Sequence, residues 1–304
     1  MLRWIRFQSC GANSTARCAA FRRALGGAEK PHWSTRPGGQ VQSSGAPSDL
    51  RAALESGIDL DAAARKALAS NAPRRSLAEL AYAPLVPEPG KIVCLGLNYL
   101  DHVKEGPQRD NIPKYQSIFF RMPTSLTPHL QPLMRPKKSI QLDYEGEMIV
   151  VIGKRAKHLT LDNAIDCVAG YACGMEGSVR EYQRHTTQWG MGKNFDRTGS
   201  VGPWMVTADA LPKGGKGLKI ETRLNQKVMQ SANTDLLMFP VAESLVYLTE
   251  GMTLEPGDIL FTGTPSGVGH ARKPEPVWMK AGDVAEVEIE GIGTLRNPIE
   301  DEKL

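Results

Sequence analysis

The stretch DYEGEMIVVIG (143–153) sets Glu145 and Glu147 one residue apart, directly ahead of an aliphatic run. In an extended strand, side chains two apart share a face, so these acids point together and repel unless something positive lies between them. Their hard oxygen atoms select Mg²⁺, Ca²⁺ or Mn²⁺ over thiophilic metals. Taken alone, the pair reads more plainly as two solvated acids at a strand edge. A third carboxylate shifts the balance. Glu176, in GMEGSVREYQ (174–183), falls where a strand gives way to a helix that Ser178 is placed to cap. Arg180 and Gln183 follow by four and seven residues, a spacing that turns one helical face toward the same pocket.

A general base is available upstream. In LGLNYLDHVKEG (95–106), His102 and Glu105 are three apart, so on a helical turn the carboxylate can orient the imidazole and raise its basicity. A surface histidine beside an acid is the commonplace alternative. TGTPSGVG (262–269) follows an apolar stretch, and its small residues expose backbone N–H groups suited to a carboxylate or enolate. It lacks the Gly-Lys-Ser/Thr ending of a Walker loop. GKNFD (192–196) supplies Lys193, either a counter-charge for an acidic substrate or a solvated loop residue.

These residues must be positioned by a β-rich body. KIVCLGL, EMIVVIG, AGYACGM, GPWMVTA, KIETRLN, VMQSAN, GDILFTG and DVAEVEIEGIGTL read as strands, with a hairpin turn at 225–227. TLDNAIDCV and SVREYQRH read as short helices, FPVAESLVYLTE as a longer one ending near Gly251, and PKYQSIFFRMPTS (113–125) as a loop. Residues 49–70 have helical texture, and PLVPEPG (84–90) is a connector that stops any helix. Between Cys10 and Ser48 the only leucine, isoleucine or valine residues are Leu25 and Val41. Such a segment buries too little to offset its ordering entropy. It reads as a flexible tail or the product of an early start codon, and less readily as an arginine-rich transit peptide. The chain therefore divides into a poorly structured segment (1–47), a small N-terminal region with its linker (48–90) and a β-rich body (91–304).

Composition narrows the class. The 304 residues are 41% apolar, and no stretch approaches the eighteen apolar residues of a membrane span. The net charge of +4 comes from the first forty residues, whose seven basic side chains face one acid. The remainder is slightly acidic, which argues against nucleic acid as a partner. Five cysteines, Cys10, Cys18, Cys94, Cys167 and Cys173, form no Cys-x-x-Cys pair and point to a reducing, cytoplasmic setting.

GLNYLDH, DYEGEM, SVREYQ, GKNFD, GPWMVTAD, LEPGDILFTGTPSGVG and VEIEGIGTLRNP occur in one order over 91–298, and together they resemble the fumarylacetoacetate hydrolase family. The resemblance implies a mainly β fold with some α, a mixed β-sandwich or β-roll catalytic domain preceded by a small α/β region, and a homodimer. It implies one Mg²⁺ (or Mn²⁺ or Ca²⁺) on Glu145, Glu147 and Glu176, and His102 with Glu105 as the water-activating dyad. Lys193 would serve catalysis, and Arg180, Gln183 and Thr264 would contact substrate. Where the family commonly has Asn-Asp, this chain has Met175-Glu176, one methylene longer. The implied activity is hydrolysis of a C–C bond in a small 1,3-dicarbonyl acid of the acylpyruvate or fumarylacetoacetate type. Oxaloacetate decarboxylation, oxo-acid isomerisation or hydration, and a non-catalytic binding protein are the alternatives.

Overall fold

The structure, a computed structural model, describes residues 4–5, 47–69, 76–106 and 109–303. The expectation for 1–47, and with it Cys10 and Cys18, lies outside the described residues apart from Trp4–Ile5 and residue 47. Trp4 and Ile5 pair antiparallel with Val206 and Met205.

The strand Gly146–Ile152 organises the fold. All seven of its residues are buried, and after Glu147 it runs as continuous apolar sequence rather than an alternating one. It pairs antiparallel with Val168–Met175 on one side and Ile259–Phe261 on the other. The eight-stranded sheet continues through Gly199–Thr207 to Trp4–Ile5 in one direction and through Ile92–Gly96 to Ser117–Phe120 in the other, while Leu126–Thr127 pairs beside Gly199–Thr207.

Each face of this sheet has its own core. Met148, Val150 and Ile152 join a cluster with Ile220, Val287 and Leu295 from a second, five-stranded sheet, and with Leu245 and Leu248 of the helix Val241–Gly251. Ile149 and Val151 point the other way, into a cluster with Leu50, Ala53 and Leu54 of the helix Leu50–Glu55, and with Leu85 and Val86. The two sheets approach closely at Gly146, where a Cβ would lie 2.0 Å from the Thr222 hydroxyl. Only glycine fits there.

Most expected strands are present, and the hairpin turn carries Asn225 and Gln226 at positive φ, as a two-residue primed turn requires. Three local expectations change. TLDNAIDCV forms a single 3₁₀ turn, Ala164–Cys167. In SVREYQRH only Arg180–Gln183 is helical, because Ser178 and Val179 extend to pair with Asp143 and Leu142. Ser178 therefore does not cap this helix: Val179 holds the cap position, and the Ser178 hydroxyl is buried without a partner among the described residues. SIFF, read as loop, is the edge strand Ser117–Phe120, whose pairing with Ile92–Gly96 no local pattern announces. Cys94, Cys167 and Cys173 are free and buried. Among the described residues, no helix is long and apolar enough to cross a membrane.

Candidate active site

Strand register delivers the carboxylates. Glu145 and Glu147 enter on one face of the central strand, and Glu176 arrives beside them from the end of Val168–Met175, its backbone N–H donating to Glu145 O at 2.8 Å. All three are buried, and one oxygen of each lies within 4.8 Å of the others. The entry to the strand is clamped by three side-chain bonds. Gly146 N–H donates to Gln230 Oε1 (2.9 Å), the Thr264 hydroxyl donates to Gly146 O (2.9 Å), and Gln230 Nε2 donates to that hydroxyl (2.8 Å). The Thr264 hydroxyl thus steadies the backbone between the two glutamates.

The cations that compensate this charge do not treat the acids alike. Lys193 Nζ bridges Glu145 Oε2 (2.7 Å) and Glu176 Oε2 (2.6 Å), and Arg180 reaches Glu145 Oε1 at 2.5 Å. Burial resists the Glu145 charge, but Arg180 and then Lys193 hold its carboxyl well below the usual range. Burial also opposes the Lys193 ammonium, and Glu145 and Glu176 more than offset it, raising its pKa. Glu147 fares differently. Burial, then the neighbouring Glu176 and Glu145, push its pKa well above normal, against Lys193 and one backbone donor, Gly263 N–H at 2.6 Å. Glu176 Oε1 has no hydrogen-bond partner among the described residues and stands 3.8 Å from Arg121 Nη1.

This donor set suits a hard divalent cation: three carboxylates, one of them in want of positive charge, and an orphaned buried oxygen. The extra methylene of Glu176 leaves it within the cluster. Arg121, buried beneath it, is held by Ser125, Gly177 O and Thr198.

The dyad is formed. His102 Nδ1 lies 2.8 Å from Glu105 Oε1 on the short helix Leu100–Glu105. Glu105 also accepts Gly267 N–H, at 2.8 Å through Oε2, so its carboxylate is fixed from both sides. That arrangement puts the imidazole proton on Nδ1 and leaves Nε2 as the base. His102, the three glutamates, Arg180, Gln183, Lys193 and Thr264 all line one cleft of about 360 Å³. Gln183 Oε1 is taken up by Arg180 Nη1 at 2.8 Å.

Arg121 and Asp143 are site residues that the sequence reading does not reach. Arg121 lies in the segment taken as a loop, and nothing local marks it as buried. Asp143 opens the glutamate motif and accepts Arg180 Nε at 2.7 Å, which turns the guanidinium toward Glu145. Its position two residues before Glu145, on the same side of an extended chain, was the available signal.

The dependence of Glu105 on the lip supports a direct test. Gly267 has φ +101°, and a Cβ there would lie 2.4 Å from Met229 O. Gly267→Ala is expected to cost more than about 1 kcal/mol of stability and to lower turnover by displacing the amide that holds Glu105. Gly282, at φ +90° with nothing within 4 Å of a Cβ, is the control. Equal turnover in Gly267→Ala and Gly282→Ala, alongside their melting temperatures, would remove the lip from the dyad's support.

Known proteins share this chain's sequence pattern and fold. The family described as fumarylacetoacetate hydrolase, C-terminal, matches residues 91–300. Among curated proteins, the chain is 38% identical to the mitochondrial oxaloacetate tautomerase Fahd2a of Rattus norvegicus over 247 residues, 81% of this chain and 78% of that protein. Among solved structures, it is similar to the fumarylacetoacetate hydrolase of Exiguobacterium antarcticum, with TM-score 0.73 and 34% identity over 83% of this chain and 88% of that one. It is also similar to a 2-hydroxyhepta-2,4-diene-1,7-dioate isomerase of Mycobacterium marinum, with TM-score 0.64 and 32% identity over 75% and 81% of the two chains.

Proposed function

The chain belongs to the fumarylacetoacetate hydrolase family, and from that premise we propose that its cleft binds a small 2-oxo dicarboxylic acid and interconverts its keto and enol forms, oxaloacetate being the first substrate to test. The observation that carries this reading is the meeting, in one small cleft, of a hydrogen-bonded His–Glu pair with a buried three-carboxylate cluster. A divalent cation, Mg²⁺ in this reading, would be held by Glu145, Glu147 and Glu176 and would supply Lewis-acid stabilisation of enolate charge. The protein does the rest. Lys193 and Arg180 add positive charge beside the carboxylates and favour an anionic ligand. His102 Nε2 exchanges a proton with the carbon next to the oxo group, while Glu105 steadies the charged imidazole.

A second reading keeps the C–C hydrolysis preferred from the sequence. The fully formed His102–Glu105 pair favours it, since cleavage needs an activated water as well as a stabilised enolate. The experiment follows the ultraviolet decay of enol-oxaloacetate, and of an acylpyruvate in parallel, with Mg²⁺ and after EDTA. Cation-dependent acceleration with oxaloacetate alone supports tautomerisation, and acylpyruvate loss makes the protein a hydrolase. Indifference to both substrates and to EDTA would defeat both readings. The reading includes a homodimer, checked by light scattering. The rat relative is named mitochondrial, which favours an organelle over the cytoplasm expected from cysteine usage.

A further inference from the structure

A second histidine in the cleft is built like the first. His270 follows the glycine-rich lip directly, and its Nδ1 lies 3.2 Å from Asp143 Oδ2. The same carboxylate accepts the His270 backbone N–H (3.0 Å) and Gly269 N–H (2.7 Å). The lip wraps so tightly here that a Cβ on Gly269 would lie 2.5 Å from Asp143 Oδ1. Asp143 is fully buried and bonded to Arg180 Nε, so it is an acceptor-only carboxylate. It therefore fixes the imidazole proton on Nδ1, as Glu105 does for His102.

The other ring nitrogen is the unexplained atom. His270 Nε2 is buried, has no hydrogen-bond partner among the described residues, and belongs to a side chain that lines the same cleft as His102 and the three glutamates. A buried polar atom left unpaired costs free energy, and such atoms concentrate where a ligand completes them.

We propose that His270 Nε2 is a second proton-handling group of this cleft, exchanging the proton of the substrate's enol oxygen while His102 exchanges the proton on carbon. The inference rests on the keto–enol reading above. Tautomerisation moves two protons. In the enol-to-keto direction the O–H bond of the enol breaks and its proton passes to neutral His270 Nε2, while a C–H bond forms with the Nε2 proton of His102, which enters this step as the imidazolium. Solvent then takes the proton from His270 and returns one to His102, so no oxidant or further reactant is required.

The alternative is that His270 merely props up Asp143, and one pair of substitutions separates the two roles. In His270→Asn the amide NH₂ stands near the position of Nδ1 and keeps the bond to Asp143, but nothing replaces Nε2. His270→Phe removes both. Turnover of enol-oxaloacetate is expected to fall about 10²-fold or more in His270→Asn, with its melting temperature unchanged. A prop alone would leave His270→Asn as active as the wild type and impair only His270→Phe, which overturns the proposal. A readout independent of turnover is the ¹⁵N resonance of His270 Nε2 when oxalate is added with Mg²⁺. It is expected to move. Should wild-type protein ignore oxaloacetate, the keto–enol reading fails, and this resonance still tests contact between His270 and an oxo-acid anion; an unmoved resonance ends the proposal.

Discussion

His102→Ala is expected to lower turnover by about 10²–10⁴-fold, the usual contribution of a positioned general base, while leaving Mg²⁺ affinity unchanged by calorimetry. The separation follows from the geometry. His102 is tied to Glu105 and through it to Gly267, whereas the carboxylate cluster is tied to Lys193, Arg180 and the Gly146 clamp. The two halves share the cleft but no side-chain hydrogen bond among those described. Glu105→Gln should cost less, because an amide oxygen can still accept from Nδ1 and from Gly267. Unchanged turnover in His102→Ala would assign the proton transfer elsewhere and leave the histidine a spectator. Lost Mg²⁺ binding in the same variant would show that the halves are not independent.

Glu147→Gln is expected to weaken Mg²⁺ binding by at least about 10²-fold, given that removing a group that only orients a ligand already costs 10–100-fold. Turnover should fall with it. The stability effect runs the other way. Glu147 is buried against two other carboxylates with a single backbone donor. Neutralising it relieves like-charge repulsion, so the metal-free variant should melt at or above the wild type, by about 2–4 °C for each kcal/mol relieved. Added Mg²⁺ should raise the wild-type melting temperature, by about 2.7 kcal/mol of binding free energy at a hundredfold excess over Kd, and leave the variant unmoved. Equal stabilisation of both by Mg²⁺ would place the cation somewhere other than this cluster.

What the sequence disclosed was whatever depends on short spacing. Two-residue alternation put Glu145 and Glu147 on one face, and three-residue helical spacing paired His102 with Glu105. Contacts across long stretches of chain left no such trace. Lys193 meets Glu145 from 48 positions away, and His270 meets Asp143 from 127. Both contacts are made by the fold, through the pairing of Leu142–Asp143 with Ser178–Val179 and the return of the lip over it. Thr264, which the family resemblance makes a substrate contact, lines the cleft, and its hydroxyl bonds to Gly146 and Gln230, contacts that no local pattern announces. Ser178 shows the converse: it has the residue type and position of a cap, and a strand pairing takes it instead.

The strand beneath the carboxylates is covered on its second face by Leu50, Ala53, Leu54, Leu85 and Val86, all of which precede the family match at residue 91. A protein trimmed to begin at Lys91 would lay bare Ile149 and Val151, the next two residues on the same side as Glu145 and Glu147. Exposing an apolar face of that kind invites self-association and loosens the strand that sets the spacing of the carboxylates. The smallest portion of this chain able to reproduce the site in isolation therefore begins at the Leu50–Glu55 helix, some forty residues ahead of the family match.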